Sequence, residues 1–133
     1  MGAFAKDCKL GHNHTLGHGD KILIADGNYP LATKTGNAEK IWVSLSPGIP
    51  TVTDVLVDLQ SVINVEAAAV MQPSEGPDPE IFKEFEAMLP ELQLQKLGRY
   101  EFYDECTVQP LSLAIATGEK RTFANILLTV GCA

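Results

Sequence analysis

The chain has 133 residues, 45% of them apolar, and a formal net charge of −7 from 10 basic and 17 acidic side chains. That length suits one globular domain able to bury roughly 65–70% of the surface its unfolded chain exposes, and the negative balance argues against an electrostatic grip on nucleic acid or anionic lipid. Cys8, Cys106 and Cys132 are odd in number, far apart and without a Cys-x-x-Cys pair, which excludes a disulfide framework or a zinc knuckle as the organising device.

At the N-terminus, Lys6 and Asp7 interrupt any apolar run long enough for a secretory leader. Lys6 also stands where a myristoylation signal after Gly2 needs Ser or Thr. No later stretch has the length and apolarity to span a bilayer. The expectation is a cytoplasmic protein with reduced thiols and no membrane partner.

The first clear element is Ile22 to Ala25, a continuous apolar run bounded by charge that suits a strand covered on both faces. Ile41, Val43 and Leu45 alternate with Trp42 and Ser44 as a second strand, which Ser46-Pro47-Gly48-Ile49-Pro50 ends. Val52, Val55, Leu56, Leu59 and Ile63 then recur at helical spacing behind Thr51, a candidate cap. Ala67 to Met71 reads as a buried strand, though its alanine content suits a helix equally.

Gln72 to Pro79 is polar and proline-rich, hence a loop, and Asp78-Pro79 offers an N-cap followed by proline at the first helical position. Ile81, Phe82, Phe85, Met88 and Leu89 share one face of the helix that follows. After Pro90 a shorter helical piece is expected to stop at Gly98. Arg99 to Tyr103 is mixed, Leu111 to Thr117 alternates as a strand, and Asn125 to Val130 is a final β-branched and leucine-rich run. The predicted order is β, β, α, β, α, β, β, an α/β sandwich with a partly parallel central sheet flanked by helices.

In such sheets, sites form beyond the carboxyl ends of strands. Asp26 lies at one such end, Thr117-Gly118-Glu119 closes another strand, and Asn125 opens the last. If those strands neighbour the first, His18, Asp26, Glu119 and Asn125 surround one cavity. Gly17-His18-Gly19-Asp20 places an imidazole between glycines immediately before the first strand. Imidazole and carboxylate suit proton transfer on a neutral polyhydroxylated ligand. Opening a cyclic hemiacetal needs one group to remove the anomeric hydroxyl proton and another to protonate the ring oxygen. Histidine serves either role near neutral pH, and such assistance contributes about 10²- to 10⁴-fold.

Taken jointly, Gly17-His18-Gly19-Asp20, the Asp26-to-Pro30 turn, the Arg99-to-Glu105 segment, Ala116-Thr117-Gly118-Glu119, Ala124-Asn125-Ile126-Leu127-Leu128 and Gly131 resemble the ribose pyranase and fucose mutarotase family, from about Leu16 onward. The resemblance implies a single mutarotase-like domain over residues 1–133 that interconverts anomers or ring forms of a free monosaccharide without metal or cofactor. It further implies a ring-shaped homo-oligomer, an octamer or decamer, with sites near subunit contacts. On this basis His18 and Asp26 are the candidate catalytic pair. Arg99, Tyr103 and Asn125 match the family's sugar-binding residues, and Tyr29, a flat face for a sugar ring, and Glu119, at a neighbouring strand end, join them as candidate substrate-binding residues. The Arg99-to-Glu105 segment is more similar to the fucose branch, and ribose pyranase activity is the alternative.

Two departures from the family's pattern stand out. Phe123 occupies a position where the family usually presents a tyrosine, which motivates a third reading: a sugar-binding protein without turnover. The apolar helix that ordinarily precedes the Gly-His motif is replaced by Lys9 to Leu16. His12 and His14 of that segment form with His18 a series able to bind a transition metal, but no fourth ligand is evident. Each candidate also has a plainer role. Asp26 suits a turn that bonds its own backbone, Glu119 beside Lys120-Arg121 suits a solvated turn, and Tyr29 suits buried aromatic packing.

Overall fold

The computed structural model describes residues 18–107 and 111–131. Among them the elements run β1 (Lys21–Ala25), β2 (Glu39–Trp42), α1 (Val52–Gln60), β3 (Asn64–Met71), α2 (Ile81–Met88), β4 (Gln95–Leu97), α3 (Arg99–Thr107), β5 (Leu113–Ala116) and β6 (Ile126–Gly131). The strands form one sheet in the order β2-β5-β1-β6-β3-β4. β1 pairs parallel with β5 and antiparallel with β6, so its unbroken apolar sequence lies in the middle of a mixed sheet. Ile22 to Ala25 are fully buried there.

Alternation along the central strands divides two cores. Ile24, Ala68, Val70, Ile126 and Leu128 face one side, where Val52 and Leu56 of α1 and Ile81, Phe82 and Phe85 of α2 cover them. Leu23, Ala25, Ala69, Met71 and Leu127 face the other, under Phe102 and Cys106 of α3 with Tyr29 and Leu31. The result is the expected α/β sandwich. Phe85 is completely buried, and truncating such a ring to alanine costs about 3–5 kcal/mol.

Thr51 caps α1 as its sequence indicates. Its hydroxyl accepts from the Asp54 amide at 3.1 Å while Asp54 Oδ2 accepts from the Thr51 amide at 3.0 Å, satisfying two donors reciprocally. The same logic fails at α2. That helix begins at Ile81 after Glu80, whereas Asp78 accepts from Gln72 Nε2 at 2.7 Å and Lys96 Nζ at 2.8 Å. Asp78 therefore ties the preceding loop to β4 instead of capping.

Two further expectations are corrected. The stretch after Pro90 ends in a strand, β4, which pairs parallel with the end of β3. Three residues with a single buried side chain carry no period to read. Arg99–Thr107 is a helix, α3, in which only Phe102 and Cys106, four apart, are buried. At the sheet's β5 end, Gly118 lets the turn from Ser46 to Ile49 approach closely: a Cβ there would lie 2.5 Å from the Ser46 carbonyl oxygen.

Candidate active site

Because β5 and β6 both flank β1, the end of β1 and the start of β6 converge, as the strand order required. Asn125 Oδ1 accepts the Asp26 backbone proton at 2.8 Å. The Asp26 carboxylate in turn accepts from the Asn28 amide at 2.9 Å through Oδ1 and from the Ala124 amide at 3.1 Å through Oδ2. Both side chains are buried. Asn125 is thus oriented with Nδ2 turned away from the backbone it serves.

Burial pushes the Asp26 carboxyl above its usual range. The amide donors of Asn28, Ala124 and Tyr29 pull the other way, and the nearby Glu119 charge adds to the rise. A carboxyl so placed holds a proton more readily than an exposed one, as a group that both gives and takes protons requires.

Above this pair lies a pocket of about 270 Å³ lined by Asp26, Asn28, Tyr29, Met71, Arg99, Tyr103, Thr122, Phe123 and Asn125. That is near the lower end of small-molecule sites, roughly 300–1,000 Å³. Arg99 and Tyr103, four apart on α3, face it together. The Arg99 guanidinium sits 5.5 Å from the centre of the Phe123 ring, and Lys34 Nζ lies 5.5 Å from that of Tyr103. Phe123 adopts φ +56°, a left-handed conformation uncommon for a bulky residue and usually seen where function constrains the chain.

Tyr29 lines the pocket mainly as support. Its hydroxyl donates to the Lys34 carbonyl at 2.8 Å, and its ring meets Tyr103 edge-on at 5.5 Å between centres. Burial pushes its phenol far above the ordinary value. It fixes the ring of Tyr103 more than it offers a group of its own.

Five of the seven residues singled out from the sequence therefore line one pocket: Asp26, Arg99, Tyr103, Asn125 and Tyr29. Glu119 does not. Its carboxylate accepts from the Val52 amide at 3.2 Å, the first turn of α1, and from Arg121 Nε at 3.0 Å and Nη2 at 3.1 Å. Burial alone would raise its carboxyl, but the Arg121 guanidinium and these amides hold it below the usual range. Arg121 continues to Glu84 of α2 at 2.6 Å. Glu119 is a clamp between the β5–β6 connection and the two helices.

His18 lies elsewhere as well. It precedes β1, whereas Asp26 follows it, and six extended steps from Asp20 to Asp26 separate the two ends by about 20 Å. The carboxylate beside His18 is Glu66, with Oε1 3.0 Å from Nε2. His12 and His14 fall outside the described residues, and among those described no group of three or more His, Cys, Asp or Glu side chains is arranged to hold a metal. Met71, Asn28 and Thr122 line the pocket without having been anticipated. Met71 ends a strand beside β6, a position only the strand order reveals.

Comparisons place this geometry in a lineage. The D-ribose pyranase of Bacillus subtilis is 34% identical over 119 residues, covering 87% of this chain and 85% of that protein. The fucose mutarotase of Mus musculus is 32% identical over 129 residues, covering 87% and 82%. The structure of Bacillus subtilis RbsD complexed with D-ribose superposes with a TM-score of 0.77 at 30% identity, covering 90% of this chain and 87% of that one. The sequence profile of the RbsD / FucU transport protein family matches residues 10–133, and the chain belongs to that family.

Proposed function

We propose that the protein is a mutarotase that interconverts the anomers of a free monosaccharide, fucose first. The observation that carries this reading is the buried Asp26–Asn125 pair at the floor of a pocket with polar and apolar walls, in a chain of this family. Arg99, Tyr103 and the Nδ2 end of Asn125 supply hydrogen bonds to ring hydroxyls, while Met71 and Phe123 offer the apolar wall that a 6-deoxy sugar's methyl group needs. Asp26 passes its proton to the ring oxygen as the C1–O bond breaks. An imidazole removes the anomeric hydroxyl proton, the open aldehyde rotates about C1–C2, and the steps reverse. Two protons move and no electrons are transferred.

Within one subunit His18 is too far away to be that imidazole. The proposed assembly is therefore a ring in which His18 of one copy enters the Asp26 pocket of the next, with eight or ten copies closing it. Exposure of the His18 side chain supports this. So does the apolar surface carried by Trp42 and Leu45, 62% and 82% exposed at one sheet edge, which assembly would cover.

Ribose pyranase activity is the second reading, favoured by 34% identity to the Bacillus subtilis D-ribose pyranase. NMR exchange spectroscopy on fucose, ribose, galactose and glucose, with wild type and His18→Ala, tests both. Faster anomer exchange for fucose that disappears in the variant supports the proposal. Acceleration of pyranose–furanose exchange in ribose alone transfers the assignment, and tight binding with no acceleration for any sugar makes the protein a binder.

A further inference from the structure

We propose that Glu66 is the positioning carboxylate of His18, accepting the Nε2 proton and leaving Nδ1 to exchange a proton with the sugar. This rests on the mutarotase reading above and extends it to a residue outside the pocket. Three features built into different strands converge on the pair. In β3, Val65 faces Val130 and Ala67 faces Thr129, so Glu66 is the unmatched residue of a bulge. Bulges re-aim side chains and recur beside active sites. In β6, Gly131 leaves the space Glu66 fills, since a Cβ there would lie 2.7 Å from Glu66 Cβ and 3.0 Å from its Oε1.

The third feature fixes the imidazole's own backbone. The Gly19 amide donates to the Val130 carbonyl and the Val130 amide to that of Asp20, each at 2.8 Å. Gly19 takes φ +91°, which only glycine adopts without strain. His18 and Glu66 are thus delivered from two strands to the same end of β6, where Nε2 and Oε1 meet at 3.0 Å.

Stability does not account for this construction. The two side chains are 55% and 45% exposed, and ion pairs that open to water contribute little to folding. A carboxylate bonded to one imidazole nitrogen instead sets the tautomer and orientation of the other. Nδ1 then takes the anomeric hydroxyl proton, the imidazolium rests against Glu66, and the proton returns when the hemiacetal recloses. No proton reaches Glu66 itself.

The test measures fucose exchange kinetics on the full chain for Glu66→Ala, Glu66→Gln, Gly131→Ala and His18→Ala, with particle size and thermal unfolding as controls. Glu66→Ala is expected to lower kcat about tenfold with KM changed less than twofold. Gly131→Ala, which displaces Glu66 without altering either partner, is expected to show the same split. Glu66→Gln keeps the volume and one acceptor oxygen and is expected to fall between. Formate is expected to restore exchange in Glu66→Ala and not in His18→Ala. Wild-type kcat in both Glu66 variants, with exchange lost in His18→Ala, would overturn the pairing and leave the mutarotase reading standing. Unchanged exchange in His18→Ala would remove both.

Discussion

Asn125 holds Asp26 by its backbone, not by its carboxylate: the amide oxygen takes the Asp26 N–H at 2.8 Å, and the carboxylate is left to the Asn28 and Ala124 amides. Residues 99 positions apart are thereby locked at the floor of one pocket. Replacing Asn125 with alanine strands a buried N–H, at about 1–3 kcal/mol of stability. It also removes the side-chain amide that lines the pocket next to Asp26. Urea unfolding and fucose exchange together check this, with losses expected in both.

The Asp26 carboxyl has a definite consequence for stability against pH. Its folded value lies above the ordinary 3.8, so between 3.8 and the folded value the native state binds more protons than the unfolded chain. Stability therefore falls as pH rises through that window. Asp26→Asn, which has no such proton to lose, is expected to show a shallower decline there. Denaturation series from pH 3 to 7 for both proteins measure the difference, and the variant is expected to lose sugar exchange throughout.

Glu119 behaves in the opposite sense. Its folded value lies below the ordinary 4.5, so the stability it contributes is present above that value and is lost as pH falls through the folded one. Arg121→Ala leaves a buried carboxylate short of its guanidinium. Since Arg121 is partly open to solvent, the expected loss at pH 7 is about 1–3 kcal/mol, and it shrinks in acid. Fucose affinity measured by titration is expected to stay within about threefold, because neither residue lines the pocket.

Phe123→Tyr adds a hydroxyl beside Arg99 with no change of backbone demand, since the ring already stands at φ +56°. An added donor or relay at the pocket wall is expected to raise kcat for fucose up to about tenfold. Steady-state exchange rates across the sugar panel report whether the gain is general or confined to one sugar.

What was legible in the sequence follows from how local its cause is. Thr51 and Asp54 cap α1 within four residues, and β1 reads as buried because four apolar residues stand between charges. The Asp26–Asn125 meeting is not local, yet it follows once the strands bearing them are neighbours. α3 was obscured because only Phe102 and Cys106 are fully buried in it, and β4 because three residues show no period. His18 and Asp26 flank the same strand, so within one copy they stand at its opposite ends. Eight residues are few in sequence, but a strand keeps its two ends apart. Glu119 misled for a related reason: a carboxylate closing a strand suits a site, but the free N–H groups at the start of α1 were nearer claimants.

The central claim is that one copy's imidazole serves another copy's carboxyl. Co-expressing His18→Ala with Asp26→Asn in mixed particles measures it directly, since each variant alone lacks one half of every site. If the halves come from different copies, random mixing restores both at about a quarter of the sites, and fucose exchange returns to about that fraction of wild type. Mixed particles, verified by native mass spectrometry, that exchange fucose no faster than either parent would contradict the account.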